Sequence, residues 1–231
     1  MKKKAVLFIH GFMGHPKEYK ILKELFTSWH YDTYEFVLSG HDGGKIKHVT
    51  KEEWEKDCIK NIDLLKEKGY ENIILVGHSM GGVLGTSMTL KYKEYISKLI
   101  LIDPAFEYLI MKDGKLKIFP SIVQAVKIFK DKANKERTSQ AFRCTPKAIK
   151  EFRSLVKEHK DDIYKVKCPI MFLHGDHDYV VPIEAIRNIY EKIENKNKRL
   201  IEVKNGSHWR LSTKLEDDIY NKIKEFLSDE K

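Results

Sequence analysis

Cysteine is scarce in this chain: Cys58, Cys144 and Cys168 are the only ones in 231 residues. An odd number at wide spacing matches neither a disulfide framework nor the paired ligands of a zinc site, so the expectation is free thiols in a reducing compartment. Long apolar stretches are missing too. The longest runs span a handful of residues, far short of the ~20 that cross a bilayer, which argues against stable membrane insertion. The start, Met1-Lys2-Lys3-Lys4 followed by Ala5-Val6-Leu7-Phe8-Ile9, has the charge order of a signal peptide. Its apolar run breaks too early, at His10-Gly11, and no small-residue cleavage site follows. A first strand of a cytoplasmic protein is expected instead. The chain also lacks an arginine-rich stripe, an internal repeat and a low-complexity segment.

Lysine, by contrast, is everywhere. The formal charge is +9, from 43 basic and 34 acidic residues. An excess of that sign raises nucleic acid or an anionic membrane as partners. Yet the lysines alternate with glutamates, as in Lys51-Glu52-Glu53-Trp54-Glu55-Lys56-Asp57, and read as solvated faces. No nucleic-acid module is visible, so no nucleic-acid partner is expected. With 42% hydrophobic and 33% charged residues, the chain fits a single soluble domain, 1–231.

Strand and helix signals alternate along it. Apolar runs at 5–9, 33–38, 73–76, 98–102, 170–174 and 199–203 predict strands. Apolar residues at helical spacing predict helices over 17–29, 51–68, 81–92, 183–193 and 215–227. Strands separated by helices imply a mostly parallel sheet with helices on both faces, an α/β fold. The alternation breaks between Pro104 and Pro169, where the pattern is helical or loop-like, with helices predicted over 121–130 and 146–160. A helical cap inserted at about 105–168 fits this break. It would stand outside the strand carboxyl ends, where α/β sheets keep their sites.

One stretch concentrates the chemistry. Gly77-His78-Ser79-Met80-Gly81-Gly82 follows the strand at 73–76 and opens the helix at 81–92. A serine at the apex of a strand–turn–helix, flanked by glycines that let the two backbones close up, is a nucleophile elbow. A serine hydroxyl attacks only when a base takes its proton and a third group orients that base. Among the ten histidines, His208 is the candidate base, because it lies on the loop Lys204-Asn205-Gly206-Ser207-His208-Trp209 past the strand at 199–203. His10, His41, His78, His174 and His177 flank other strand ends and read as hydrogen-bonding loop residues, whereas His15, His30, His48 and His159 look peripheral. Asp176 and Asp178 both follow the strand at 170–174, and Asp103 follows the one at 98–102. Each is a candidate for the orienting acid, with Asp176 also suited to bonding its own turn backbone. An oxyanion would need backbone donors. The Met80 amide at the helix start and the Phe12 amide in the turn His10-Gly11-Phe12-Met13-Gly14 are the candidates.

Those motifs, together with Gly40-His41-Asp42, Trp54-Glu55-Lys56-Asp57, Gly175-Asp176-His177-Asp178 and Gly206-Ser207-His208, make the chain resemble the α/β-hydrolase superfamily over nearly its full length. More narrowly it is similar to the small bacterial carboxylesterases related to monoacylglycerol lipases. The resemblance implies Ser79 as nucleophile, Asp178 as the acid, His208 as the base, and Phe12 and Met80 as oxyanion donors. It implies no metal and no organic cofactor, and a small-molecule ester as substrate, with short to medium acyl chains and monoacylglycerols as candidates. An acyltransferase, a thioesterase or a carbon–carbon hydrolase is the alternative on the same fold. A ligand-binding homologue without catalysis is the alternative outside it. The chain is expected to act as a monomer or homodimer.

Overall fold

The computed structural model describes residues 4–42, 46, 49–108, 111–112, 115–116, 144–208 and 216–228. Six strands form one parallel sheet: β1 (Lys4–Ile9), β2 (Asp32–Glu35), β3 (Asn72–His78), β4 (Ile96–Ile102), β7 (Ile170–Gly175) and β8 (Lys198–Val203). Their order across the sheet is β2-β1-β3-β4-β7-β8. The middle strands are apolar without alternation because both of their faces are covered, as parallel sheets require. Side chains alternate between two cores. Leu7, Leu75, Leu99 and Phe172 point to one, while Phe8, Val76, Ile100 and Met171 point to the other.

The helices divide accordingly. Helices α1 (Lys20–Ser28) and α6 (Asp217–Ser228) cover the second face through Leu22, Phe26, Ile219, Ile223 and Phe226. The first face receives α2 (Lys51–Glu67), α3 (Met80–Lys91), α4 (Pro146–His159) and α5 (Ile183–Lys192). Trp54, Cys58, Ile62, Leu84, Leu155 and Ile186 are their buried anchors. Local chemistry sets several starts. Thr50 and Glu53 form a capping box on α2, and Thr145 accepts the Ala148 amide at 3.2 Å ahead of Pro146 in α4.

Three boundaries depart from the sequence pattern. The strand expected at 33–38 stops at Glu35, because the Leu38 amide donates to His10 Nε2 (3.0 Å) instead of extending a ladder. The helix expected from residue 17 begins as a 3-10 turn, Pro16–Tyr19, before α1 proper. The segment read as free of strands contains a short antiparallel pair, β5 (Met111–Lys112) with β6 (Lys115–Leu116). Two-residue strands are too short to leave a periodic signature. The helix expected at 121–130 lies outside the described residues, whereas α4 matches the one expected at 146–160.

The strand order reverses between β1 and β3, since the chain runs from β1 outward to β2 and then returns to the other side. The carboxyl ends of strands flanking such a reversal open a crevice where α/β proteins bind ligands. The turn after β1 carries Phe12, and the turn after β3 carries Ser79.

Candidate active site

Ser79 follows β3 and caps α3 with φ +52° and ψ −115°. This left-handed backbone is costly for a residue with a Cβ, on the order of 1–3 kcal/mol. It persists because the surroundings leave no other path. The Ser79 amide donates to Ile102 O (2.9 Å), and the Ser79 carbonyl accepts from Gly82 (3.0 Å) and Ala105 (3.1 Å). Gly77 and Gly81 permit the close approach: a Cβ on Gly77 would run into the Gly81 backbone, and one on Gly81 into the Ile9 carbonyl. The serine is thereby held with its side chain directed at the loop after β8.

That loop brings His208 to it. His208 Nε2 lies 3.0 Å from Ser79 Oγ, and His208 Nδ1 lies 2.7 Å from Asp178 Oδ2. A carboxylate can only accept, so Nδ1 carries the proton and donates to Asp178, leaving Nε2 to accept from the serine hydroxyl. All three residues are buried. The second Asp178 oxygen, Oδ1, accepts the amides of Val180 (2.7 Å) and Val181 (2.9 Å). Burial works to raise the Asp178 carboxyl, but the charge and hydrogen bond of His208 outweigh it and hold it below the usual carboxylate value. A hydroxyl, an imidazole and an ionised carboxylate in this sequence can move a proton from oxygen to nitrogen as the oxygen attacks.

The loop's approach depends on a contact the sequence reading did not identify. A Cβ on Gly206 would lie 2.7 Å from Gly175 Cα and 2.8 Å from Val203 O, so the two turns meet backbone to backbone. The signal lies in Gly175, which ends β7, and Gly206, just past the paired strand β8. Asp176 sits beside this contact and accepts from the backbone of Asn205 and Gly206 and from His177 Nδ1 (2.7 Å). It bonds across to the neighbouring loop, not only within its own turn.

Asp103, the other acid considered, points into the same cluster from the end of β4. Its Oδ1 accepts the Gly175 amide at 3.0 Å. Burial, with Asp178 adding to it, raises its carboxyl above the usual value although His174 pulls the other way. The two carboxylates are thus driven in opposite directions by their surroundings. His174 donates from Nε2 to Val181 O (2.9 Å), while its Nδ1 lies 3.3 Å from Asp103 Oδ1 with no hydrogen-bond partner among the described residues. Ligand-type atoms of Asp103, His174 and Asp178, and of His78, Asp103 and His208, come within 4.8 Å of one another. Both nitrogens of His208 and the Nε2 of His174 are already engaged in hydrogen bonds, so these clusters read as proton-sharing networks.

On the other side of Ser79 stands the turn after β1. A Cβ on Gly11 would lie 3.0 Å from Ser79 Cβ, which places this turn against the serine. Within the turn the Gly14 amide donates to Gly11 O (2.9 Å) and the Met13 amide to His41 Nε2 (3.2 Å), and the Phe12 amide takes part in neither. Met80, as the first residue of α3, has an amide with no acceptor inside its own helix. Two imidazoles brace the turn. His10 Nδ1 donates to Gly11 O (2.9 Å), and His41 Nδ1 donates to Ser39 O (3.0 Å) while its Nε2 takes the Met13 amide. Both act as neutral rings: burial, with neighbouring His41 adding to it, lowers His10 to about 4, and burial lowers His41 as well. His159, expected to be peripheral, instead joins α4 to α2 through Glu55 (2.8 Å) and also bonds Asp162 (2.8 Å). His48 and Trp209 lie outside the described residues.

The fold and the elbow define an α/β-hydrolase. A model of the family described as "Serine aminopeptidase, S33" (Hydrolase_4) matches residues 1–212, and the chain belongs to that family. It is 25% identical over 232 residues to a carboxylesterase of Bacillus subtilis (strain 168), covering 97% of this chain and 92% of that one. A thermostable monoacylglycerol lipase of Bacillus sp. (strain H-257) is 25% identical over 212 residues, covering 88% and 82%. Among solved structures, one from a study of LipS and LipT, two metagenome-derived lipolytic enzymes, superposes with a TM-score of 0.76 at 20% identity over 98% of this chain and 94% of that one. The protein is a hydrolase of the esterase and lipase class. No helix among the described residues is long and apolar enough to cross a membrane.

Proposed function

We propose that the protein hydrolyses carboxylic esters through an acyl-enzyme, with Ser79 as nucleophile, His208 as general base and then acid, and Asp178 as the group that orients His208. One observation carries this reading: Ser79 Oγ, His208 Nε2, His208 Nδ1 and Asp178 Oδ2 form an unbroken chain of 3.0 and 2.7 Å contacts around a serine held at φ +52°. As Ser79 Oγ attacks the ester carbonyl, its proton passes to His208 Nε2, and the carbonyl oxygen becomes an oxyanion. The amides of Phe12 and Met80 stabilise that charge, helped by the positive end of α3. His208 then protonates the leaving alcohol as the C–O bond breaks. In the second half His208 takes a proton from water as the water oxygen attacks the acyl carbon, then returns it to Ser79 Oγ as the acyl C–Oγ bond breaks, which releases the acid and restores Ser79.

The substrates proposed are esters of short to medium acyl chains, monoacylglycerols among them, in keeping with the printed names of the relatives. We read residues 105–168 as an insertion of the single domain that shapes the acyl site. Phe152 on α4 stacks on Phe12, and Tyr108, after β4, packs against Phe152 in turn. A fluorophosphonate probe and an ester panel from acetyl to palmitoyl test the reading together. Labelling is expected at Ser79, and Ser79→Ala is expected to stay folded while losing on the order of 10³-fold or more of turnover. A folded Ser79→Ala enzyme that keeps half its esterase activity sinks the assignment. Transfer of the acyl group to an added alcohol or thiol in preference to water points instead to an acyltransferase.

A further inference from the structure

His78 precedes the nucleophile and is buried, but the chemistry proposed above does not use it. Its ring lies 5.1 Å from that of His208, centroid to centroid. Its Nε2 is 2.7 Å from the backbone carbonyl of His208. A carbonyl can only accept, so Nε2 carries a proton and donates it. The other nitrogen, Nδ1, faces the Glu18 carboxyl group, with Oε1 at 3.4 Å. Glu18 lies in the 3-10 turn Pro16–Tyr19 and is buried as well. A bare ring nitrogen against a bare carboxylate oxygen would be repulsive, so a second proton belongs to this contact. A histidine with both nitrogens facing acceptors is then an imidazolium paired with a carboxylate, or the carboxyl itself holds the proton.

The pair is roofed by the turn that carries Phe12. A Cβ on Gly14 would lie 2.9 Å from Glu18 Oε1, and one on Gly11 would lie 3.2 Å from His78 Nδ1. Glycine at these two positions lets the turn close over the pair. Three parts of the site therefore converge on one buried contact: the turn after β1, the residue beside the nucleophile, and the backbone of the base.

Resting on the reading of Ser79 and His208 given above, we propose that Glu18 and His78 are positioning residues for this reaction. Glu18 orients the His78 ring, and His78 holds the His208 loop by its carbonyl, fixing the distance from His208 Nε2 to Ser79 Oγ. A side chain on the loop could not do this equally well, because His208 must keep both of its own nitrogens for Asp178 and Ser79. Gripping the backbone leaves the ring free for proton transfer.

The test compares His78→Leu, which fills similar space without a donor, with His78→Gln, whose amide can still donate to the carbonyl. Glu18→Leu and Glu18→Gln form the matching pair. Each variant is assayed for kcat and KM on a soluble aryl ester, for the rate of fluorophosphonate labelling at Ser79, and for thermal stability. Loss of a buried hydrogen-bond partner leads us to expect His78→Leu to lower kcat and labelling together by about tenfold or more, with KM within about twofold. His78→Gln is expected to recover most of that loss, and Glu18→Gln most of the loss seen with Glu18→Leu. A folded His78→Leu enzyme with wild-type kcat overturns the proposal, as does a His78→Gln enzyme no faster than His78→Leu. Should His78→Leu fail to fold, the Glu18 pair decides: equal kcat in Glu18→Leu and wild type rejects the clamp. Absence of labelling at Ser79 in the wild type would instead count against the reading of the triad.

Discussion

Phe12 and Phe152 stack face to face, with ring centroids 5.0 Å apart and 7° between their planes. One ring belongs to the turn after β1 and the other to α4, more than a hundred residues later. Phe152 also leans on Tyr108 (4.9 Å), and Phe12 meets Trp54 edge-on (5.9 Å). The residue whose amide is proposed to receive the oxyanion is therefore wedged in place by α4. Phe152→Ala is expected to loosen that turn and lower kcat as well as raise KM for long acyl esters. Truncation of a partly buried aromatic also costs stability, about 1–3 kcal/mol at such a site. Steady-state kinetics across the ester panel, with denaturant unfolding alongside, check both halves. An effect on KM alone would mean that the stack only lines the pocket.

The two carboxylates near His208 should behave differently when neutralised. Asp178→Asn removes the charge proposed to orient His208 and can favour the wrong ring tautomer, so kcat is expected to fall on the order of 10³-fold or more. Asp103→Asn keeps an oxygen for the Gly175 amide and removes a carboxylate that its surroundings already disfavour. Most of the turnover should survive, and thermal stability at pH 8 should rise. The reverse ranking of the two variants would make Asp103 the working acid.

Gly206→Ala tests the approach of the loop that carries His208. The new methyl would sit against Gly175 Cα and the Val203 carbonyl, both backbone atoms that cannot swing aside. We expect a loss of about 1–3 kcal/mol in stability, typical of overpacking. The fluorophosphonate labelling rate should fall further than the folded fraction, because the displaced loop carries His208. Labelling that tracks only the folded fraction would separate the loop's position from its packing.

Two histidines set opposite pH limits. His10 is lowered to about 4 by burial and by neighbouring His41, against an ordinary value of 6.5. A group depressed on folding stabilises the neutral side, so its contribution is complete above pH 6.5 and fades as the pH falls toward 4. The amount is on the order of 3 kcal/mol. His159 is raised by its hydrogen bond to Glu55, and more weakly by Asp162, against partial burial. Its contribution is complete below 6.5 and lost as the pH rises through its higher folded value. Unfolding free energy should therefore fall on both sides of near-neutral pH. His159→Gln should flatten the alkaline limb alone, and an unchanged alkaline limb in that variant would count against the assignment.

Much of this is legible in the sequence. The apolar runs Ile73–Val76, Leu99–Ile102 and Ile170–Leu173 read as strands covered on both faces, and the helical spacing of Trp54, Cys58, Ile62 and Leu65 puts them on one core-facing stripe. Gly77-His78-Ser79-Met80-Gly81 between a strand and a helix carries its own geometry, because only glycine allows those backbones to touch. The short pair β5 and β6 escaped because two residues have no period, and the early end of β2 because it depends on a distant imidazole. Glu18 was overlooked because nothing beside it in sequence suggests burial, and His78 because a histidine at a strand end usually bonds a nearby loop.

Sequence by itself determined the α/β alternation, the elbow at Ser79 and the short set of groups that could serve it. These follow from periodicity and from local backbone sterics, both of which act over a few residues. Only the tertiary structure decided which groups meet: His208 with Asp178 and Ser79, Asp103 with Gly175, Phe12 with Phe152, and Glu18 with His78. Those choices belong to the order of strands across the sheet, which sets residues far apart in the chain within hydrogen-bonding distance and leaves no trace in local spacing.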